Sequence, residues 1–381
     1  MAARFQPLLT VLRRCLLPGG LAVLIGACAA TGPTPPFAAI AGDGPYVFHA
    51  AGNQLDALWV CGGKVVRSRL PARDGAVVKP RCGYPHAVAI PARIDAGEMP
   101  LPAGARIIAV SDIHGQYALL AQLLRAHRVI DGGDRWNAGR DHLVVAGDVF
   151  DRGDDVTEIL WLLFQLQQQA RATGGAVHFL LGNHETMALY GSTHYVHPAL
   201  IDNARLLGRS YDALYAADSV LGQWLRTRPV LLRLGDTLFL HGGIAPQDAG
   251  LVDAMTATNA AYQRSLGTPR KQVEADPALA PLYDHKTSPI WYRGYFDGQL
   301  DTPAVQALAA RLGVARIVVG HTTIGEVASF HGGRVIAIDG GLKRGKTGQL
   351  LFIEGDRLSR GLLDGRREAL PALQEVTRDQ D

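Results

Sequence analysis

The sequence predicts an α/β protein preceded by a small β module, and three observations carry that expectation. From Arg106 onward apolar runs alternate as strand, helix and strand. Between Gly44 and Pro102 the runs YVFHA, ALWVCG, KVVRSRL and HAVAIPARI are short, broken by Gly, Asn, Asp and Pro, and lack a helical period. Composition sets the frame: 381 residues, 48% hydrophobic and 19% charged, describe a packed globular chain long enough for two or three domains or one large α/β sandwich.

The first element is read as a targeting signal. Arg4, Arg13 and Arg14 precede an apolar stretch from Cys15 to Ala27, which at 13 residues is shorter than the roughly 20 needed to span a bilayer and is interrupted by Pro18, Gly19 and Gly20. It ends in Ile25-Gly26-Ala27-Cys28. That resembles a bacterial lipobox, in which the cysteine is acylated and starts the mature chain; ordinary secretory cleavage nearby is the alternative. Ala29 in second place implies release to the outer membrane, so the expected location is the bacterial envelope, lipid-anchored and facing the periplasm. Residues 1–27 are then signal, and 28–42, small and proline-bearing, a tether.

Residues 43–102 form the expected β module, 103–365 the catalytic α/β part, and 366–381 a polar tail. With Cys15 and Cys28 assigned to the signal and its lipobox, Cys61 and Cys82 are the only pair left, in a compartment where disulfides persist, so they are expected to be bridged; two buried free thiols are the alternative. In the α/β part RIIAVSD, HLVVAGD and AVHFLLGN read as strands and GQYALLAQLLRAH as a helix. A second helix begins near Asp154, with Asp155 and Glu158 spaced as a capping box ahead of apolar Val156, Ile159, Leu160, Leu163 and Phe164, and it stops at Gly174-Gly175. Residues 186–227 read as helical. Hairpins are predicted through Gly235-Asp236 and through His331-Gly332-Gly333, a helix near 303–312, and a strand at QLLFIEGD.

Charge excludes one class of partner. Without the three signal arginines, basic and acidic groups are equal at 35 each, which leaves no electrostatic case for nucleic acid. The run Gly340-Gly-Leu-Lys-Arg-Gly-Lys346-Thr347 matches the letters of a nucleotide-binding P-loop, but a strand rather than a helix follows, so it is read as a basic hairpin loop.

Chemistry concentrates after the strands. Asp112-x-His114, Gly147-Asp148-Val-Phe-Asp151-Arg152-Gly153, Gly182-Asn183-His184-Glu185, His241-Gly-Gly and Gly320-His321-Thr place metal-capable side chains at strand ends, which gather on one edge of an α/β sheet. Asp112 and His114, two apart, share a face if extended. Two carboxylates, one amide oxygen and three imidazoles suit Mn, Fe or Zn, and six donors suggest two ions. Asp148 is the expected bridge, with Asp112 and His114 on one ion and Asn183, His241 and His321 on the other. Two neighbouring cations lower the pKa of a shared water, so the expected reaction is in-line attack of the resulting hydroxide on phosphorus. Arg152 and Arg293 are the candidate phosphate-binding guanidiniums. His184, held cationic by a carboxylate such as Asp151, is the candidate general acid. His331, His194 and His197 are read as solvent, loop or helix-cap histidines.

The blocks SDIHG, GDVFDRG, GNHE, HGG and GHT, in that order, resemble the phosphoprotein phosphatase family of calcineurin-like metallophosphoesterases over Arg106 to about Asp356. The resemblance implies two mixed β-sheets sandwiched between helices and a dinuclear centre at the strand ends. It carries the ligand roles onto Asp112, His114, Asp148, Asn183, His241 and His321, the acid pair onto His184 and Asp151, and phosphate binding onto Arg152 and Arg293. The WYRG loop and the envelope signal resemble the bacterial, Shewanella-like branch. A tyrosine near the carboxyl-terminal end of the eukaryotic sites has no match here, so substrate contacts differ at that point. The implied substrate is a phosphorylated protein or small phosphomonoester; dinucleoside polyphosphate hydrolysis and an inactive surface-binding module are the alternatives. Oligomeric state stays open.

Overall fold

A computed structural model describes residues 42–95 and 99–373. Cys28, the signal and nearly all of the tether lie outside the described residues. Among the described residues no helix is long and apolar enough to cross a membrane.

The β module opens the described chain: β1 (Gly42–Ala50), β2 (Gln54–Cys61) and β3 (Lys64–Pro71) form an antiparallel sheet, and β4 (Ala76–Val78) pairs with β5 (Val88–Ile90). Cys61, at the end of β2, is disulfide-bonded to Cys82.

Two mixed sheets follow. The first takes β6 (Ile107–Val110), β7 (His142–Val145) and β8 (Ala176–Phe179) in parallel. The second takes the hairpin β9 (Leu231–Leu234) and β10 (Thr237–Leu240), then β11 (Arg316–Val319), β12 (Ala328–Phe330) and β13 (Val335–Ala337). The chain then returns to the first sheet with β14 (Gln349–Glu354), β15 (Arg357–Leu362) and β16 (Arg367–Ala369), all antiparallel to their neighbours. Ile107, Ala109 and Val144 meet Phe239, Val318 and Ile336 between the sheets, while Ile108, Val110, Leu143 and Val145 face the helical side. Both faces of these strands are apolar, which is why they read as continuous apolar runs rather than as alternation.

Helices α1 (Tyr117–Ala126), α2 (Val156–Ala172), α3 (Asn183–Leu189), α4 (Pro198–Leu206) and α5 (Val220–Leu225) cover the first sheet's side of the chain. α2 is buried nearly all round because the β module packs on it. Trp161 Nε1 donates to the Pro45 carbonyl at 2.7 Å, and the Gln165 amide meets both backbone groups of Ala89 at 3.0 and 3.1 Å.

Three expectations change. The capping box at Asp155 and Glu158 does not form: Asp155 makes no side-chain cap, and Glu158 is drawn into the seam under the module, where burial raises its pKa well above the usual carboxylate range. The Gly340–Gly348 segment is not a hairpin loop, because the strands it joins, β13 and β14, belong to different sheets. The tail read as polar from 366 begins instead with β16, and past it Leu373 N donates to the Ser329 carbonyl at 2.8 Å.

Candidate metal centre

The site grows from the loops after β6, β7, β8, β10 and β11, all on one edge of the paired sheets. The loops after β6 and β7 bond to each other: the amides of Asp112, His114 and Gly115 donate to the carbonyls of Gly147, Asp148 and Val149 at 3.0 to 3.1 Å. Such close approach needs glycine. A Cβ on Gly147 would lie 2.7 Å from the Gly182 nitrogen and 2.8 Å from His241 Nδ1, and one on Gly153 would lie 2.7 Å from the Gly115 and His114 carbonyl oxygens.

Asp112, His114, Asp148, Asp151, Arg152 and His321 all have left-handed backbone, with φ between 47° and 72°. Asp112 and His114 are therefore not extended, and their convergence comes from a tight turn rather than strand alternation. Left-handed backbone costs a non-glycine residue about 1–3 kcal/mol, and its concentration here marks where folding strain is tolerated for the sake of side-chain placement.

Asp148 sits at the middle. Its Oδ2 lies 3.1 Å from His241 Nε2, 3.6 Å from His114 Nε2 and 3.8 Å from His184 Nε2, while Oδ1 accepts the His184 backbone N–H at 3.1 Å. Donor atoms form two clusters sharing this carboxylate: His114, Asp148 and His184, and Asp148, His241 and His321. Asn183 Oδ1 stands 2.9 Å from His241 Nε2 and joins the second. Asp112 turns its Oδ2 onto the Ser111 hydroxyl and the His321 amide, in electrostatic range of His241 and Asp148. His184 Nε2 falls within reach of the first cluster, and Asp112 lies alongside, at the His321 amide.

The imidazoles are oriented from behind. Nδ1 of His114 meets the Phe150 carbonyl and Nδ1 of His241 the Ala146 carbonyl, each at 2.7 Å, which turns both Nε2 atoms inward. His321 is reversed, its Nε2 meeting the Trp291 carbonyl at 3.1 Å, so Nδ1 faces the centre. Burial lowers the pKa of His114 and His321 well below the usual value, so both are neutral and able to donate a lone pair. Burial, reinforced by the nearby Asp339 carboxylate, pushes Asp112 up to about 7. Buried imidazoles beside crowded carboxylates form a donor set that fits two transition-metal cations.

His184 Nδ1 is 2.6 Å from Asp151 Oδ2. Burial opposes its protonation, but Asp148 and the bond to Asp151 outweigh it and raise the pKa. Arg152 is exposed beside it, and its backbone N–H donates to the Tyr195 carbonyl at 2.8 Å. Arg293 is anchored to the other side, donating from Nη1 to the His321 carbonyl at 2.6 Å. Next to it opens a cavity of about 700 Å³, lined among others by Lys286, Trp291, Tyr292, Arg293 and Gln299.

Sequence reasoning left three residues of the site without a role. The buried Glu185 carboxylate accepts the backbone N–H groups of Asp148, Val149, Phe150 and Gly182 at 2.6 to 3.2 Å, tying two ligand loops together; its place in GNHE was the only signal. Buried Asp339 accepts from the Thr323 hydroxyl at 2.6 Å, near Asp112. Tyr195 packs over His184, and no sequence pattern marks it. The decoys stay apart. His331, read as a solvent histidine, is half-buried in its turn with Nε2 2.7 Å from the Tyr295 carbonyl, His197 caps α4, and His194 lies against Tyr195.

A family model for calcineurin-like phosphoesterases matches residues 105–324. Among solved structures, the cold-active protein-tyrosine phosphatase of a psychrophilic Shewanella species is 36% identical with a TM-score of 0.79, covering 86% of this chain and 99% of that one. Shewanella-like protein phosphatase 1 of Plasmodium berghei is 34% identical over 145 residues, 36% of this chain and 39% of its own length. An uncharacterised protein of Schizosaccharomyces pombe is 29% identical over 280 residues, 69% of this chain and 80% of its own. The chain belongs to the calcineurin-like phosphoesterase family, on its Shewanella-like phosphatase branch, and is a metal-dependent phosphatase.

Proposed function

We propose that this phosphatase is anchored in the bacterial cell envelope through lipidated Cys28 and removes phosphate from phosphorylated proteins, phosphotyrosyl residues included. One observation carries the reading of the site: a single buried carboxylate, Asp148, is shared by two donor clusters, with the His184–Asp151 pair beside it. Asp112, His114, Asp148, Asn183, His241 and His321 would hold two ions of Mn, Fe or Zn. Bound there, the ions supply positive charge for phosphoryl oxygens and lower the pKa of water.

The chain's own residues do the rest. Arg152 and Arg293 flank the centre and grip the equatorial oxygens of the phosphoryl group. His184 carries its transferable proton on Nε2, because Nδ1 is committed to Asp151, and delivers it to the departing oxygen. Asp151 keeps the ring oriented and cationic until that moment. The cavity beside Arg293 gives room for polypeptide around the phosphorylated residue, within the roughly 300–1,000 Å³ range of ligand pockets. The same neighbour that shares 36% identity is named a protein-tyrosine phosphatase, which supports the substrate class.

The test uses signal-free protein with added Mn against a chromogenic aryl phosphate, phosphotyrosyl and phosphoseryl peptides, and diadenosine tetraphosphate. Phosphopeptide hydrolysis that falls at least about 10²-fold in Asp148→Asn is the expected result. Turnover of the dinucleotide alone would overturn the protein-phosphatase reading. For the anchor, the full-length chain should partition with membranes, and Cys28→Ala should release it.

A further inference from the structure

Among the described residues, three large apolar or aromatic side chains are exposed: Val77, Leu206 and Tyr195, the last at 42%. Only Tyr195 borders the site. Its ring centre is 5.2 Å from that of His184, the Arg152 guanidinium lies 5.6 Å from the same ring, and His194 meets it edge-on at 4.5 Å. Its hydroxyl has no partner among the described residues. The ring is thus fixed on three sides and open on the fourth, beside the group that protonates the leaving oxygen.

Geometry restricts what that open face meets. His184 has one nitrogen left for proton transfer, and the leaving oxygen must come within about 2.6–3.2 Å of it. Whatever that oxygen is attached to must then pass along the neighbouring Tyr195 ring. A serine or threonine offers one or two carbons to such a surface, whereas a tyrosine offers a whole ring, which pairs with another ring in offset or edge-on contact. We infer that Tyr195 is the surface against which the leaving group packs, and that it favours phosphotyrosyl over phosphoseryl and phosphothreonyl substrates. This deepens the proposed function and rests on its placement of His184 as the acid.

The experiment compares kcat/KM for paired aryl and alkyl substrates, a phosphotyrosyl and a phosphoseryl peptide of otherwise identical sequence, across Tyr195→Ala, Tyr195→Leu and Tyr195→Phe. In Tyr195→Ala the aryl-to-alkyl ratio should fall by about 2- to 12-fold, mostly through KM, with Tyr195→Leu between and Tyr195→Phe keeping the ratio. An unchanged ratio in the alanine and leucine variants overturns the inference. Equal losses on both substrates also overturn it, because they mean that Tyr195 only holds His184 and Arg152 in place. Failure of the unaltered protein to hydrolyse either peptide would sink the phosphatase reading itself, and is distinguishable from both.

Discussion

The metal-centre edge and the interior of the first sheet hold buried histidines under opposite conditions. Just past β10, burial opposes the proton on His241, yet Asp148 at 3.1 Å raises its pKa to about 9. Within β7 and β8, His142 and His178 face each other with ring nitrogens 3.0 Å apart. There burial lowers His142 to about 4, despite Asp141, and His178 to about 3, with His142 and Arg228 adding to the effect. The residue type is the same and all three side chains are buried. What differs is a carboxylate within hydrogen-bond distance of the ring, and the comparison teaches that burial neutralises imidazole, at His114 and His321 as well, unless a carboxylate as close as Asp148 is to His241 outweighs it.

The sharpest way to break the contrast is to remove that carboxylate. Asp148→Ala should lose both ions, read by elemental analysis, and lower activity by more than about 10²-fold. Next in size, His184→Ala should keep its metal and lose about 10²- to 10⁴-fold in turnover, most for substrates with poor leaving groups. Metal lost together with activity in that variant would reassign His184 as a ligand, an outcome its place in the first donor cluster makes worth measuring.

Glu185→Ala tests how the charged edge is held. It strips acceptors from four buried backbone N–H groups, and an unsatisfied buried donor costs about 1–3 kcal/mol, so the urea midpoint should fall by an amount equivalent to about 3–5 kcal/mol after local relaxation. Glu185→Gln, which keeps one acceptor oxygen, should lose less.

The last effect is one of pH and lies at the neutral histidine pair. The folded-state pKa values of His142 and His178 are depressed below the unfolded value near 6.5, so between about 3 and 6.5 the unfolded chain binds more protons. Their contribution to stability is complete above about pH 6.5 and is lost as the pH falls toward about 4 and 3. Thermal unfolding from pH 7 to 4 should show this slope, and His142→Gln combined with His178→Gln should flatten it.

Much of the site was legible because its parts are local. Each ligand pair or single ligand sits in a short block beside its own strand, and glycine, aspartate and histidine at those spacings already announce a tight turn carrying donor atoms. The disulfide was legible from the shortage of other cysteines after the signal. The way Asp112 turns onto Ser111 and the His321 amide, and His184 toward Asp148, was not, because it depends on how two side chains pack inside one edge. Glu158 shows the same limit: its spacing from Asp155 is right for a cap, but the β module, about a hundred residues earlier in sequence, buries it.

By itself, then, the order of residues determined the element types, the donor inventory and the class of reaction, all of which follow from spacing, propensity and side-chain chemistry within a few residues. Only the tertiary structure decided that Glu185 ties the loops, that Gly340–Gly348 crosses between sheets, and that Tyr195 leans over His184. Each of these is a meeting of segments far apart in the chain. Such meetings are set by how the sheets and helices pack, and no local pattern encodes them.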